Sequence, residues 1–373
     1  MRKSINVLAL CLIFWIAFVP ESTKAQKIEK LFEKGEYIKA EEYCNKQKGA
    51  NQTDCYLKLA DAYFNKGDYE KAGEYYKKSY HQDGLIKIAN TYLQNAEYEK
   101  ADEYYLKTGK TALIAAIEKK ETETAKLLIE KGININGKDD SGNTSLIIAA
   151  SLGDTEILKL LIAAEVDQTI KNDEDLTALM MAGMGCKLEA IKLLKQDTPI
   201  DNFIALGFSA MAGCADVVST LIDEGINVDA NEDGQTVLMM TASEDRVEVA
   251  KVLIDKGADV NAKKSEGFTP LMIAVQNNSK ETINLLLEKG ADINAVNEKG
   301  ATALMLITLT GEIETLNLLI EKGADVNIQT KEGSTVLSMC QKMISGMDPD
   351  GFMKDLYDMY DKMIKVLKAA GAK

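Results

Sequence analysis

Few side chains in this sequence are suited to chemistry. There is one histidine, His81, so a Ser-His or Cys-His arrangement has a single candidate base. Its position at the end of a helical pattern suits an ordinary surface residue. Gly-rich phosphate loops, the Gly-x-Ser-x-Gly elbow and paired histidines on a helix are missing from the sequence. A zinc site would need scattered cysteines and carboxylates, because no Cys-x-x-Cys pair begins one. No catalytic residue, metal ligand or cofactor site is therefore assigned. Carboxylates are abundant: Asp139-Asp140, Asp173-Glu174-Asp175, Glu232-Asp233, Glu266, Glu298 and Glu332 recur at regular intervals. Two of them facing each other across a cleft at ~5 to 9.5 Å would permit glycoside hydrolysis. Solvated turn tips are the plainer explanation.

Residues 1–25 read as a secretory leader. Arg2 and Lys3 precede an apolar run from Ile5 to Val19, Pro20 ends it, and Thr23 and Ala25 supply small residues for cleavage after Ala25. The run is shorter than the roughly 20 apolar residues of a membrane span; retention as an uncleaved anchor is the alternative. Leu8-Ala9-Leu10-Cys11 has the outline of a lipoprotein signal, but Leu10 is too large for it. Cleavage removes Arg2, Lys3, Lys24 and Glu21 and moves the net charge from −14 to −16. Arg246 is then the only arginine, so a nucleic-acid partner is not expected. Five cysteines remain, Cys44, Cys55, Cys186, Cys214 and Cys340, allowing at most two bridges in an oxidising compartment.

The elements that would position any site fall into two periodic blocks. Twelve of the 14 tyrosines lie between Tyr37 and Tyr105. Within that block Tyr56, Leu59, Ala60 and Tyr63 lead to a Gly67-Asp68 turn and then Ala72 and Tyr76, which is a helical hairpin with small residues at its crossing. Weaker copies surround Ala40 and Ala101. The pattern resembles the tetratricopeptide repeat and assigns residues 26–108 to three such hairpins. From residue 109 the period is 33: Thr111, Thr144, Thr177, Thr236, Thr269, Thr302 and Thr335 each open a Thr-small-apolar start. Most copies continue with a Leu-Leu or Leu-Ile pair and then Gly-Ala-Asp-Val-Asn or a variant. Each Thr can cap a first helix, the leucine pair gives a second helix its buried stripe, and Gly132, Gly225, Gly257, Gly290 and Gly323 end that helix in the left-handed conformation.

These copies resemble ankyrin repeats, about eight of them over residues 109–373. The expected fold is an all-α solenoid, with a C-terminal cap over about 334–373 that carries Phe352, Leu356, Met363 and Leu367 on a long helix. Where the family usually places histidine, Met180, Met239, Met272 and Met305 stand instead, and methionine packing should replace its polar network. Two departures are visible. Glu165 replaces a helix-ending glycine, and the copy after Thr177 lacks six residues, so its successor should begin at Ile204-Ala205-Leu206.

The resemblance implies a protein-binding scaffold without intrinsic catalysis, exported to the periplasm or medium and monomeric. An inhibitor or immunity-type protein blocking one enzyme or toxin is the alternative; a carboxylate-only hydrolase is a further one. Carried over from the family, the groove at the first-helix ends falls at Leu152, Met184, Met211, Ser243, Gln276, Leu309 and Lys342 in successive copies, or one residue away. Leu152, Met184 and Met211 would form an apolar patch in the irregular stretch, suited to partner binding. Cys44 and Cys55, at facing ends of consecutive helices, are within reach of a disulfide, or Cys44 is simply buried. Cys186 and Cys214 occupy neighbouring positions in adjacent copies; a bridge between them is the less favoured pairing, because stacked repeats hold equivalent positions further apart than a disulfide spans.

Overall fold

The computed structural model describes residues 21–196, 198–349 and 352–373. Of the leader expected over residues 1–25, residues 1–20 lie outside the described residues. The fold is an all-α solenoid whose described part forms two compact units, residues 21–145 with 163–166, and residues 146–162 with 167–373.

The first unit begins with α1 (Glu21–Glu33), α2 (Tyr37–Asn45), α3 (Ala50–Lys66), α4 (Tyr69–Lys78), α5 (Gln82–Gln94) and α6 (Tyr98–Leu106), and continues through α7 (Ala112–Glu118) and α8 (Thr122–Glu130). Aromatic rings fill the space between its hairpins. Phe32 meets Tyr63 edge-on at 4.9 Å, Tyr63 stacks on Tyr75 at 5.8 Å, and Tyr92 meets Tyr104 at 5.6 Å. Small residues make room for them: a β-carbon at Gly84 would lie 2.2 Å from the Tyr76 ring. Buried hydroxyls find acceptors at a repeated offset, Tyr76 on Asp61 at 2.5 Å and Tyr105 on Asn90 at 2.5 Å, as burial of a polar group demands. The Asp102 carboxylate accepts from Ala112 N–H at 2.7 Å, tying α6 to the start of α7. His81 caps α5, its Nδ1 accepting from Gly84 N–H at 3.1 Å, and stacks beside Tyr76.

The second unit contains α9 (Ser145–Leu152), which starts at the unit boundary, α10 (Thr155–Ala163), α11 (Ala178–Met184), α12 (Leu188–Leu194), α13 (Pro199–Met211) and α14 (Ala215–Asp223). A hairpin of β1 (Asn231–Glu232) and β2 (Gln235–Thr236) follows. Then come α15 (Val237–Ser243), α16 (Val247–Asp255), α17 (Pro270–Gln276), α18 (Lys280–Glu288), α19 (Ala303–Thr310), α20 (Ile313–Glu321), α21 (Val336–Ile344) and α22 (Lys354–Ala369). First helices α11, α13, α15, α17, α19 and α21 stack on one another in chain order. Thr111, Thr177, Thr236, Thr269, Thr302 and Thr335 each cap a first helix, accepting from the backbone three residues on. Met239, Met272 and Met305 are buried beneath those caps.

The repeated Asp-Val-Asn spelling has a physical reason. Asn261 Oδ1 accepts from Asp292 N–H at 2.8 Å, Asn294 Oδ1 from Asp325 N–H at 2.8 Å, and Asn327 Oδ1 from Lys373 N–H at 2.9 Å. Each copy thus supplies an acceptor for the next. Lys256–Asp223 and Lys289–Asp255 ion pairs, at 2.5 and 2.6 Å, run along the second helices at the same period. The Lys289 ammonium holds the Asp255 carboxyl below its ordinary range.

Glu165 adopts the left-handed conformation at φ 57°, a strained choice of ~1 to 2 kcal/mol for a residue with a β-carbon. Two expectations need correction. The copy that lacks six residues does not restart at Ile204: α13 begins at Pro199, capped by Thr198. With no hairpin to build, the chain leaves α12 through an extended Lys195, and proline at the first helical position favours an early start. Phe352 does not face the core. It is fully exposed, while Tyr360, Met363, Ile364 and Leu367 of α22 are buried and Tyr360 donates to the Thr308 carbonyl at 2.8 Å.

Burial raises the phenol of Tyr63 to about 12, helped by its hydrogen bond to Glu41, and burial raises Tyr105 to about 12 as well. A neutral phenol favoured by folding contributes stability that is complete below pH ~10 and is lost as pH rises through the folded value. The first unit should therefore unfold between about pH 10 and 12, ahead of the second, which carries only Tyr357 and Tyr360. Near-ultraviolet circular dichroism against far-ultraviolet signal during brief alkaline titration measures this; simultaneous loss of both units would contradict it.

Candidate functional site

The first-helix ends of the second unit present the apolar side chains anticipated for a groove. Leu152 closes α9 at 44% exposure, Met184 closes α11 at 47%, and Leu309, near the end of α19, is 74% exposed. Met211 and Gln276, ending α13 and α17, are half-buried. Met184 and Leu309 each lie seven residues after a capping threonine and Leu152 eight after Thr144, and all three are exposed while Gly183 and Thr308 beside two of them are buried. Close approach of α11 to α13 accounts for Met211 being less open: a β-carbon at Gly183 would come within 2.9 Å of Phe208.

Two disulfides are present. Cys44 and Cys55 join the end of α2 to α3 with their α-carbons 5.4 Å apart, and both are buried. Cys186 and Cys214 are also joined, with α-carbons 5.6 Å apart, against the expectation that stacking separates them. The reason is that they are not equivalent positions. Cys186 is the left-handed turn residue between α11 and α12, φ 55°, whereas Cys214 follows the corresponding turn glycine, Gly213, and caps α14. In later copies a hydrogen bond spans the same step: Asp245 Oδ1 accepts from Thr282 Oγ1 at 2.8 Å, and Thr315 Oγ1 donates to Asn278 Oδ1 at 2.9 Å. The bridge is a covalent version of that stitch. Cys340 is free and buried, its thiol pushed up to about 11 by desolvation.

Sequence reasoning missed a second feature. Where the six residues are lacking, a cavity of about 670 Å³ opens, lined by Leu179, Met180, Ile200, Phe203, Ile204 and Met240 among others. Lys171, Asp201 and Glu232 stand at its polar side. Asp201 accepts from Thr198 Oγ1 at 2.8 Å and from Gln196 N–H at 3.2 Å, so its carboxylate holds the start of α13 in place. The count of missing residues was the available signal; the apolar character of what they uncover was not. Among the described residues no cluster of His, Cys, Asp and Glu could hold a metal ion, and no helix is long and apolar enough to cross a membrane.

The family model for ankyrin repeats (3 copies) matches residues 80–172, 146–232, 179–297 and 271–344. These matches cover more than half of the chain, and it belongs to the ankyrin repeat family. Among curated proteins it is similar to the human "Ankyrin repeat and KH domain-containing protein 1", 49% identical over 59 residues, which is 16% of this chain. The chain spans about 2% of the length of that relative.

Cys186 is exposed, while Cys44 and Cys55 are buried, so a mild reductant should open Cys186–Cys214 first. Closing a loop of 28 residues is worth about 3 to 4 kcal/mol by chain entropy, and the second unit should lose stability of that order on reduction. Differential alkylation with mass spectrometry reads the order and urea melting reads the loss. Prior opening of Cys44–Cys55 would refute the assignment of access.

Proposed function

We propose that this protein is an exported scaffold, periplasmic or secreted, that binds another protein through the groove of its ankyrin repeats and catalyses no reaction. The observation that carries the reading is the exposure of the apolar side chains Leu152, Met184 and Leu309 at, or within one residue of, first-helix ends of the array. Apolar side chains exposed at a recurring place in a repeat array mark a surface that a partner can cover. Met184 and Met211 suit an adaptable contact, with Gln276 adding a polar one. The tetratricopeptide-like hairpins of residues 26–108 supply a further helical surface.

Export is supported by the apolar leader and by two disulfides, which persist in oxidising compartments. The acidic balance, −14 with two arginines in all, opposes a nucleic-acid partner. Carboxylate catalysis is disfavoured by the use of Asp201 as a helix-start anchor beside an exposed Glu232.

Two measurements test the proposal. Intact mass of protein recovered from the periplasm or medium should correspond to a chain beginning at Gln26; a product still beginning near Met1 and retained in membranes would refute export. Photocrosslinking from position 184 in the intact cell envelope should recover one or a few protein partners. Met184→Glu combined with Leu309→Glu should leave circular dichroism and melting unchanged while removing that crosslink from a probe placed at Leu152. Unchanged recovery would place the binding surface elsewhere.

A further inference from the structure

Neighbouring hairpin tips in this array press backbone against backbone. A β-carbon at Gly234 would lie 3.0 Å from Lys264 Cα, at Gly267 3.0 Å from Glu298 N, and at Gly300 2.8 Å from Lys331 N. Hydrogen bonds join the tips at the same places: Glu298 N–H donates to the Glu266 carbonyl at 2.9 Å, and Lys331 N–H to the Lys299 carbonyl at 3.0 Å. Glycine at these positions is needed for the close approach as well as for its positive φ.

The tip at Asp173-Glu174-Asp175 departs from this rule. Asp175 holds the left-handed turn position, φ 61°, where the other tips have glycine. A β-carbon is tolerated there because the six missing residues are those that would have built the next tip. Counting back from the capping threonines, the Glu174 carbonyl corresponds to those of Glu266 and Lys299, and Glu232 N–H corresponds to those of Glu298 and Lys331. Glu232 is paired with Gln235 across the β1–β2 hairpin, and among the described residues no tip stands between that hairpin and the Asp173-Glu174-Asp175 turn. Below them lies the cavity of about 670 Å³, whose floor includes Met180, Phe203 and Ile204 and whose edge includes Ile200, 43% exposed.

We propose that this gap is a docking site for an extended segment of a partner protein that bears a large apolar side chain flanked by lysine or arginine. The inference rests on the scaffold reading and deepens it by naming a second contact and its chemistry. An extended backbone suits the interval left by the missing tip, where it can lie between the Asp173-Glu174-Asp175 turn and the β1–β2 hairpin. The volume is in the range of sites that enclose one or two large apolar groups. Charge complementarity fixes the flanks: Asp173, Glu174 and Asp175 on one side and Glu232 and Asp233 on the other are all exposed, and Lys171 is the one cation lining the cavity.

The test uses the full-length oxidised protein and two fluorescein-labelled synthetic peptides. In one, leucine and phenylalanine are flanked by lysines; in the other, glutamate replaces each lysine. Fluorescence anisotropy should show saturable, salt-sensitive binding of the lysine peptide only. Ile200→Glu should weaken it by about tenfold or more, since it removes apolar burial at the edge. Glu232→Lys with Asp233→Lys should weaken it too, and both sets of positions are open enough for the variants to fold, as circular dichroism will check. Equal binding of both peptides, or binding indifferent to Ile200→Glu, would overturn the proposal. So would an Ile200-dependent dimer in sedimentation, which would assign the gap to a second copy of the chain. The Met184→Glu, Leu309→Glu protein should bind the lysine peptide normally. If the peptide fails while crosslinking from position 152 still depends on Met184 and Leu309, the gap proposal falls and the scaffold reading stands.

Discussion

No hairpin in this chain can bury its own apolar surface, and every other feature follows from that. Helix α17 is seven residues long and six of them, Pro270 to Val275, are buried. So short a helix is not stable alone in water, and a helix apolar all round must be covered on all sides. Its cover comes from the copies before and after it. Stability in such an array is the sum of weak internal terms and strong neighbour terms. The polar ladder obeys the same logic, because Asn261, Asn294 and Asn327 each satisfy a backbone N–H in the succeeding copy or at the chain end.

That dependence explains how the array survives losing a hairpin tip. Tips contribute backbone contacts at the margin, whereas the first helices carry the core. Deleting the tip between α12 and α13 therefore leaves α11, α13 and α15 stacked in order. What is lost is compensated locally. Thr198, Pro199 and Asp201 start α13 early and lengthen it to 13 residues, and the Cys186–Cys214 bridge ties the two copies on the side of the inter-helix turns. A covalent stitch stands where Asp245 and Asn278 manage with hydrogen bonds.

Legibility in the sequence divides along the same line. Residues that obey the period could be placed: the capping threonines, the left-handed glycines and the buried methionines sit where spacing put them. Errors arose where the period breaks. Ile204 matches the repeat register, but Thr198 and Pro199 are a stronger local start than register alone. Cys186 and Cys214 differ by one position in the turn, an offset that repeat register alone does not reveal and that brings their α-carbons to 5.6 Å. Phe352 was assigned inward on helical spacing with Leu356, yet it precedes α22, and spacing carries no information outside the helix. Exposure at Leu152, Met184 and Leu309 was read from family register, while Met211 shows what register omits: its helix starts and packs differently from its neighbours.

The same break also concentrates binding potential. In a regular array the tips form a closed row, each glycine pressed against the next backbone, and little apolar surface remains between them. Removing one tip exposes the side chains it would have covered without unfolding the stack beneath, because those side chains belong to helices held from both sides. Phe203 stays buried and Ile200 becomes half-open, so the floor is rigid and the edge is accessible. A rigid apolar floor lowers the ordering cost of association, and acidic tips on both sides discourage acidic partners as well as attracting basic ones. An irregularity that costs the fold one set of marginal contacts thus gives this chain a feature that distinguishes one step of the array from the others.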